Sequence, residues 1–361
     1  MTEQITHCKK CILPSNFQYI DFDEQGVCSY CKKYQPVQTK PEAELLKILE
    51  KAKKKHKVYD ALVPLSGGKD STYALYLATR KYDLNVLAFI YDNGFMSEIA
   101  LENIENATRQ LGVDHVFYRP SWDLLKRLYR QVLLKSGELC TVCGIGINNS
   151  ILKISEAWDI PLILKGSMFT ETNTIYFEQI YDVDRFKHIL SEDGLFSESE
   201  LENYLIYPDL DLYKQKINSL LGKFGKSVNI LFYQSVQNEN TIAEILQKEL
   251  LWQDGGKHSD CVAEQFSNYI RENRYGYSRS VAHLSNLVRS NQISRDEALQ
   301  ILIDEAPAKK QEKVEKIVER LGLSPEELNT IININPKKYE EYTFQRNRVF
   351  DKIIRTLDNM F

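Results

Sequence analysis

A glycine-rich turn between a predicted strand and a predicted helix constrains this chain more than any other feature. Residues 61–65 (Ala-Leu-Val-Pro-Leu) form an apolar run that predicts a buried strand, and residues 71–80 have the composition of a helix. The two are joined by Ser66, Gly67, Gly68, Lys69, Asp70 and Ser71. Two glycines let the backbone approach an anion closely, and the N-terminus of the next helix directs its N–H groups at that anion. The segment therefore predicts a phosphate or pyrophosphate site.

The order of residues in this turn narrows the prediction. It lacks the Gly-x4-Gly-Lys-Ser/Thr spacing of the common P-loop. Ser-Gly-Gly-x-Asp-Ser after a first strand instead resembles the PP-loop of the ATP pyrophosphatase superfamily, whose members release pyrophosphate from ATP and adenylate a carbonyl or carboxyl oxygen. A plain Gly-Gly turn is the alternative, but such a turn needs neither the two serines nor the aspartate.

The first half of the chain alternates between short apolar runs and helical stretches. Strands are predicted at 59–65, 85–91, 114–118 and 160–164, and helices at 41–57, 71–80, 97–111, 122–135 and 147–158. This alternation predicts an α/β fold with a doubly wound parallel sheet, and the PP-loop resemblance implies the adenine nucleotide α-hydrolase type. Ligands of such sheets bind at the carboxyl ends of the strands, so Asp92, Gly166 and Ser167 are expected at the same edge as the loop.

Two pairs of cysteines lie near the N-terminus. Cys8 and Cys11 form one Cys-x2-Cys pair, Cys28 and Cys31 form a second, and sixteen residues separate the two pairs. Four thiolates with this spacing can surround a tetrahedral metal ion, and zinc is the usual ion for such a closed site. The spacing predicts a zinc ribbon with a structural role, because no ligand position would remain for a substrate.

Three further cysteines allow two interpretations. Cys140 and Cys143 form another Cys-x2-Cys pair within a glycine-containing passage at 137–146 that we predict to be rich in turns, and Cys261 lies far downstream. Three thiolates can hold a [4Fe–4S] cluster with one open position. The alternative is an oxidisable pair together with an inert buried cysteine.

Composition and charge restrict the classes of partner. The chain has 361 residues, enough for more than one domain, and a net charge of −4, which gives no overall field for nucleic acid. No apolar stretch approaches the roughly 18–20 residues needed to cross a bilayer, and the first residues lack the features of a signal peptide. We expect a cytoplasmic protein with no membrane partner, and the charge disfavours nucleic acid without excluding tRNA.

Four parts are predicted along the chain. They are a zinc ribbon at 1–40, a PP-loop nucleotide-binding domain at 41–168, a variable substrate-facing region at 169–250 and a C-terminal helical region at 251–361. In the last part, Ser294 and Ser324 have the capping-box spacing that begins a helix. Lys257, His258 and His283 are candidates for substrate contacts or proton transfer, because histidine titrates near neutrality.

Several motifs taken together resemble one family. The four-cysteine ribbon, the loop at 66–71, Asp-Asn-Gly at 92–94, Gly-Gly-Lys-His at 255–258 and Ala-His-Leu-Ser at 282–285 resemble the N-acetyl sugar amidotransferases of surface-polysaccharide and nonulosonic acid pathways. The resemblance implies that ATP adenylates the amide oxygen of an N-acetylated sugar. It further implies that ammonia from a separate glutaminase subunit displaces AMP, which converts an acetamido group into an acetamidino group.

Other positions depart from that family. Lys69 stands where the family more often has a small apolar residue, and Cys140, Cys143 and Cys261 are not general features of it. These residues resemble the [4Fe–4S]-dependent PP-loop thiolases that act on tRNA, in which three thiolates hold a cluster whose open iron carries a sulfur. That resemblance implies a sulfur donor in place of ammonia. A nucleotide-binding regulatory protein is a third hypothesis.

Both enzymatic hypotheses share the same activating step. The loop N–H groups, Lys69 and the hydroxyls of Ser66 and Ser71 would bind the phosphates of ATP, and Asp70 would hold Mg²⁺ against the leaving pyrophosphate. Asp92 would bind the nucleoside or the metal, and Gly166 and Ser167 would complete the ATP site. The sequence leaves the identity of the sugar and the formation of a homo-oligomer open.

Overall fold

A five-stranded parallel sheet forms the centre of the protein. The computed structural model describes residues 5–17, 20–36, 38–55, 58–168, 183–191, 193–205, 225–235, 238–256, 260–304 and 311–334. The strands are β1 (Ala61–Pro64), β2 (Val86–Tyr91), β3 (Asp114–Tyr118), β4 (Leu162–Lys165) and β5 (Lys226–Asn229). Their order in the sheet is β3-β2-β1-β4-β5, with all four pairings parallel. The direction of winding reverses between β1 and β4, as in a doubly wound sheet.

Helices surround this sheet and form the C-terminal part of the described chain. A π-helical turn (Leu77–Lys81) continues α3, and a 3₁₀ turn (Ile230–Tyr233) follows β5. The helices are α1 (Ser29–Lys33), α2 (Glu42–Lys55), α3 (Lys69–Tyr76), α4 (Glu98–Leu111), α5 (Trp122–Ser136), α6 (Cys140–Ala157), α7 (Val183–Ser191), α8 (Glu198–Tyr204), α9 (Glu239–Leu250), α10 (Glu264–Tyr275), α11 (Ser280–Arg289), α12 (Arg295–Asp304), α13 (Gln311–Leu321) and α14 (Pro325–Asn333).

Both faces of the sheet are covered, because the strands carry apolar side chains in both directions. Val63 and Ala88 point to a core shared with α2, α3, α4 and α9. Leu62, Phe89 and Ile163 point to the opposite face, against α6. All six residues of β2 are buried, as expected for a strand in the interior of a parallel sheet. The predicted α/β class is confirmed.

Two local predictions were wrong. The passage at 137–146, predicted as turns because of its glycines, contains the start of α6 at Cys140. Gly146 is a glycine inside that helix for a packing reason, because a Cβ there would stand 2.2 Å from the hydroxyl of Tyr91. The sequence also gave no sign of β5, a four-residue strand in which only Val228 is buried. In addition, α3 begins at Lys69, two residues earlier than predicted.

The cysteine ribbon packs on the C-terminal helices. Ile12 joins Leu284 and Leu287 of α11 and Ala298 of α12 in one apolar cluster. The rings of Phe17 and Tyr277 lie 5.1 Å apart. The predicted helix starts are confirmed by backbone N–H donation to the hydroxyls of Ser294 and Ser324. Within the described ranges, we find no helix with the length and apolar character needed to cross a membrane.

Candidate active site at the carboxyl edge of the sheet

The glycine-rich loop follows β1 and is held in place by α4 and by the segment after α9. Gly67 has a positive φ of 81°, and a Cβ there would lie 2.4 Å from the carbonyl oxygen of Ala100 in α4. The carbonyl of Gly67 accepts hydrogen bonds from the indole of Trp252, at 2.9 Å, and from the amide of Asn103. Only glycine fits this position, and the loop conformation depends on α4 and on the segment after α9.

The two loop serines hold each other. The hydroxyls of Ser66 and Ser71 lie 3.1 Å apart, and Ser71 also donates to the carbonyl of Gly68. The backbone N–H of Gly68 points at the Ser66 hydroxyl, at 3.3 Å. These bonds fix the loop around the start of α3, where free N–H groups and the helix dipole favour an anion. Contact of the Ser66 and Ser71 hydroxyls with phosphate stays a prediction.

Lys69 and Asp70 are part of a chain of charged side chains. The Lys69 ammonium lies 3.1 Å from Oδ1 of Asp70 and 3.3 Å from Oε2 of Glu239, the first residue of α9. Oε1 of Glu239 lies 3.8 Å from Nε2 of His283 in α11. The structure thus brings His283, predicted from sequence, to the loop through Glu239, which sequence reasoning missed.

Burial and charge act in opposite directions in this cluster. Burial disfavours the charged form of Lys69, but Asp70 and Glu239 outweigh it and raise the pKa of the lysine. Burial also raises the pKa of Asp70, although Lys69 and the backbone N–H of Met168 favour its ionised form. A divalent cation beside Asp70 would supply positive charge that the protein provides only in part. The carboxylate is therefore suited to hold Mg²⁺.

If the loop acts on ATP as its sequence predicts, Glu239→Gln should slow pyrophosphate release by about 10-fold or more, the effect of losing one charge-assisted hydrogen bond. The carboxylate orients Lys69 and His283 together, and an amide would keep its shape without the charge. Glu244→Gln, an exposed residue on the same helix, is the matched control. Equal steady-state rates for the two variants would show that Glu239 has no role in the reaction.

The remaining predicted ATP residues lie at the same edge in different settings. Gly166 packs directly on the carbonyl of Asp70. The backbone of Ser167 is held on both sides by the Asn229 side chain at the end of β5, at 3.3 and 2.8 Å. Asp92 accepts from the Arg119 guanidinium and from the N–H of Gly94, so its carboxylate is already engaged.

Two of the predicted contacts cannot be placed, and two residues enter the site unpredicted. Lys257 and His258 lie outside the described residues. Asp260, from the same motif, reaches the loop, because a Cβ on Gly68 would stand 3.3 Å from its Oδ2. Lys165, at the end of β4, has its pKa lowered by burial. The position of Lys165 at a strand end was visible in the sequence, but the approach of Asp260 depends on tertiary packing.

The structure brings Cys143 and Cys261 together at one side chain. Because Cys140 and Cys143 are three residues apart in the first turn of α6, they lie on the same helix face. Cys261 pairs as an isolated antiparallel bridge with Met96, just beyond β2. The amide nitrogen of Asn93 lies 3.5 Å from the sulfur of Cys143 and 3.5 Å from that of Cys261.

The chemistry of this three-cysteine group fits a metal cluster. Burial raises the pKa of Cys140 to about 12, and it also raises the pKa values of Cys143 and Cys261. The charges of Cys143 and Cys140 further raise the pKa of Cys261. The thiols are therefore neutral by themselves, and cationic iron would provide the charge that thiolates need.

The four N-terminal cysteines form a tighter group. Their sulfurs all lie within 4.8 Å of one another, with Cys11 and Cys28 at 3.7 Å and Cys8 and Cys31 at 3.9 Å. A tetrahedral zinc–sulfur site with bonds of about 2.3 Å has sulfur–sulfur edges of about 3.8 Å. The observed spacing matches this geometry, and all four residues are buried.

Comparison with known proteins adds three findings. Residues 242–356 match the family model of the C-terminal domain of LPS biosynthesis proteins that are WbpG-like. An uncharacterized protein of Methanocaldococcus jannaschii is 28% identical over 163 residues, which are 44% of this chain. The chain covers 58% of the length of that curated relative.

One similar solved structure is the U34-tRNA thiolase NcsA from Methanococcus maripaludis with its [4Fe–4S] cluster. It is 16% identical, with a TM-score of 0.36 and coverage of 92% of this chain and 91% of that one. With so low a score, the evidence for the fold is the strand order described above. The match at 242–356 includes α10 to α14, and with them His283, Cys261 and the helices that hold the ribbon.

Proposed function

We propose that the protein is an ATP-dependent enzyme that forms AMP and pyrophosphate, adenylates the amide oxygen of an N-acetylated sugar and replaces that oxygen with nitrogen. The proposal rests on the contacts between two parts of the chain. The loop at 66–71 supplies Lys69 and Asp70, and the segment with the LPS biosynthesis match supplies His283 to the same charged cluster through Glu239.

The first step needs no covalent attachment to the protein. The amide oxygen of the sugar attacks the α-phosphorus, the bond to pyrophosphate breaks and the amide proton is lost. The loop N–H groups and Lys69 bind the departing phosphates, and Asp70 holds Mg²⁺ against them. His283, beside Glu239, is placed to accept a proton. Holding the oxygen in line with the phosphorus turns a bimolecular step into a local one.

The second step exchanges the leaving group. Ammonia attacks the activated carbon, AMP departs with the former amide oxygen, and an acetamidino group results. A separate glutaminase subunit would supply the ammonia.

Product analysis tests the proposal. The full-length protein is incubated with ATP, Mg²⁺, ammonium ion and a panel of N-acetyl sugars, free and nucleotide-linked, and pyrophosphate and AMP are measured. Sugar-dependent formation of both, with a product in which mass spectrometry shows NH in place of oxygen, is the expected result. Pyrophosphate release that does not depend on any sugar would contradict the proposal.

A second candidate function is supported by the three-cysteine group. If a [4Fe–4S] cluster binds there, it would present sulfur to the same adenylated carbon, and the product would be a thioamide on a sugar, another small molecule or a tRNA. The support is the approach of Cys143 and Cys261 to Asn93, with Cys140 on the same helix face.

We expect Cys143→Ala to abolish the iron content and visible absorption of anaerobically reconstituted protein while ATP binding is kept. Cys143 donates no group to the loop, so the nucleotide site should be intact. If sulfur is inserted, turnover with a sulfide source also falls to background. Wild-type protein that binds no iron after reconstitution would exclude the sulfur mechanism and leave the nitrogen mechanism in place.

A further inference from the structure

A cavity lies beside the three-cysteine group at the carboxyl ends of β2 and β3. Its volume is about 360 Å³, which is within the range of small-molecule sites. It is bounded by Asp92, Phe95, Arg119, Trp122, Val262 and Arg320. None of its lining residues belongs to the loop at 66–71, so the cavity is separate from the predicted cradle for the phosphates of ATP.

The charge of the cavity is positive. Arg320, from α13, lies with its guanidinium 4.6 Å from the ring centroid of Trp122 and 5.6 Å from that of Phe95. Within the described part of the chain, no carboxylate pairs with it. Arg119 donates from Nε to Asp92, and its terminal nitrogens have no hydrogen-bond partner among the described residues. Two arginines therefore line a cavity that has one carboxylate, Asp92, and that carboxylate is already paired.

The walls suit a ring that carries an anionic group. Trp122 is the first residue of α5, a fifteen-residue helix whose N-terminus favours negative charge. The indole is held edge-on by Phe95, with ring centroids 5.5 Å apart, so its position is fixed by packing. An aromatic wall next to open guanidinium donors can bind the apolar face of a sugar and a phosphate or carboxylate together.

The chain segments that line the cavity also carry Asn93 and Cys261. Asp92 and Gly94 line it, and the residue between them, Asn93, contacts Cys143 and Cys261. Val262, next to Cys261, lines it as well, and its N–H donates to the carbonyl of Phe95 at 2.9 Å. The cavity is therefore lined by the sequence neighbours of Asn93 and of Cys261.

We propose that this cavity binds an oxyanion group, a phosphate or a carboxylate, of the acceptor substrate, with Arg320 and Arg119 as its ligands and Trp122 as the wall for the adjoining ring. The identification of the acceptor as a sugar rests on the proposed function. The anion site itself does not, because it can be measured without turnover.

Calorimetric titration of the full-length protein without ATP tests the proposal with three probes. They are N-acetylglucosamine, which is neutral, N-acetylglucosamine 1-phosphate and N-acetylmuramic acid, which carries a carboxylate. At least one anionic probe is expected to bind about 10- to 100-fold more tightly than the neutral sugar, the effect of charge-assisted hydrogen bonds. The preferred probe shows whether the group is a phosphate or a carboxylate.

Arg320→Ala should remove most of the preference for the anionic probe, with Arg119 keeping the rest, and Arg320→Lys should restore only part of the loss, because an ammonium lacks the planar fork. Arg109→Ala, an exposed arginine on α4, should change nothing. ATP affinity should be unchanged in all three variants. Equal binding or no binding of all probes, or a loss of ATP affinity in Arg320→Ala, would overturn the proposal.

The same proteins separate this proposal from the proposed function. If pyrophosphate release with N-acetyl sugars fails while the anion preference and its loss in Arg320→Ala are observed, the site stands and the reaction assigned to it is wrong. If turnover occurs and Arg320→Ala does not raise KM for the sugar, the reaction stands and the anion site is wrong.

Discussion

Asp70→Asn is expected to reduce pyrophosphate release by roughly 10²–10³-fold, the effect of removing one preorganised electrostatic group from an active site. The carboxylate lies at the start of α3, accepts from the N–H of Met168 and faces the ammonium of Lys69. An amide keeps its shape and loses the charge that would bind Mg²⁺. The measurement is the rate of pyrophosphate release as a function of Mg²⁺ concentration.

The folding stability of Asp70→Asn should be kept or raised, although its activity falls. Burial raises the pKa of Asp70 in the folded protein above its unfolded value, so the folded state binds the proton more tightly. Stability is then lost as pH rises from the unfolded pKa through the folded one, and a neutral side chain at this position avoids that loss. Without Mg²⁺, Asp70→Asn should melt at the same temperature as the wild type or higher. Loss of activity with retained stability separates a functional role from a structural one.

Asp114→Asn provides the control for this experiment. Asp114 begins β3, at the amino ends of the strands and away from the loop, and accepts a hydrogen bond from Tyr59. Its substitution should leave the rate and the Mg²⁺ dependence unchanged. If Asp70→Asn also keeps a rate within a few-fold of wild type, with the same response to Mg²⁺, the carboxylate does not hold the metal.

The parts of the site that were predictable from sequence depend on local chain geometry. The loop at 66–71 needs glycines at fixed positions after a strand, and Cys-x2-Cys pairs set the spacing of thiolates regardless of what surrounds them. The alternation of apolar runs and helices was sufficient to predict the parallel sheet, because buried parallel strands are apolar on both faces. Each of these signals lies within a few neighbouring residues.

The parts that were missed depend on distant contacts. Glu239 begins an ordinary surface-type helix, and only the fold places its carboxylate at Lys69, far away in sequence. Arg320 lies in an amphipathic helix like many others until packing sets it over Trp122. β5 carries one buried residue and pairs only because β4 offers a partner edge. None of these has a local pattern that sequence reasoning could have used.

The cysteine ribbon is connected to the candidate site through α11. α11 carries His283 toward Glu239, while Leu284 and Leu287 on the same helix pack against Ile12 of the ribbon. The Arg295 guanidinium donates to the carbonyls of Cys8 and Cys11. The ribbon is therefore joined to the helix that reaches the candidate site, and loss of the predicted metal from the ribbon is expected to shift α11.

Cys11→Ser is expected to abolish the predicted zinc binding and to lower the melting temperature by about 10 °C or more, since about 4 kcal/mol corresponds to a shift of that size in a large domain. Structural zinc contributes about 10–16 kcal/mol to the folding of zinc-finger peptides, so the expected loss is conservative. Neighbouring thiols lower the pKa of Cys11 and raise the pKa values of Cys28 and Cys31, so these three cannot all be thiolates without a cation. Native mass spectrometry and thermal unfolding measure both effects.

Cys140→Ser is the matched control, because it removes a partly buried thiol from the other cysteine group. It should keep one zinc per chain and a near-normal melting temperature. Cys11→Ser should also weaken ATP-dependent pyrophosphate release, because α11 would no longer hold His283 at Glu239. Zinc content and melting temperature that match the wild type in Cys11→Ser would show that the Cys11 sulfur is not a ligand of a structural metal ion.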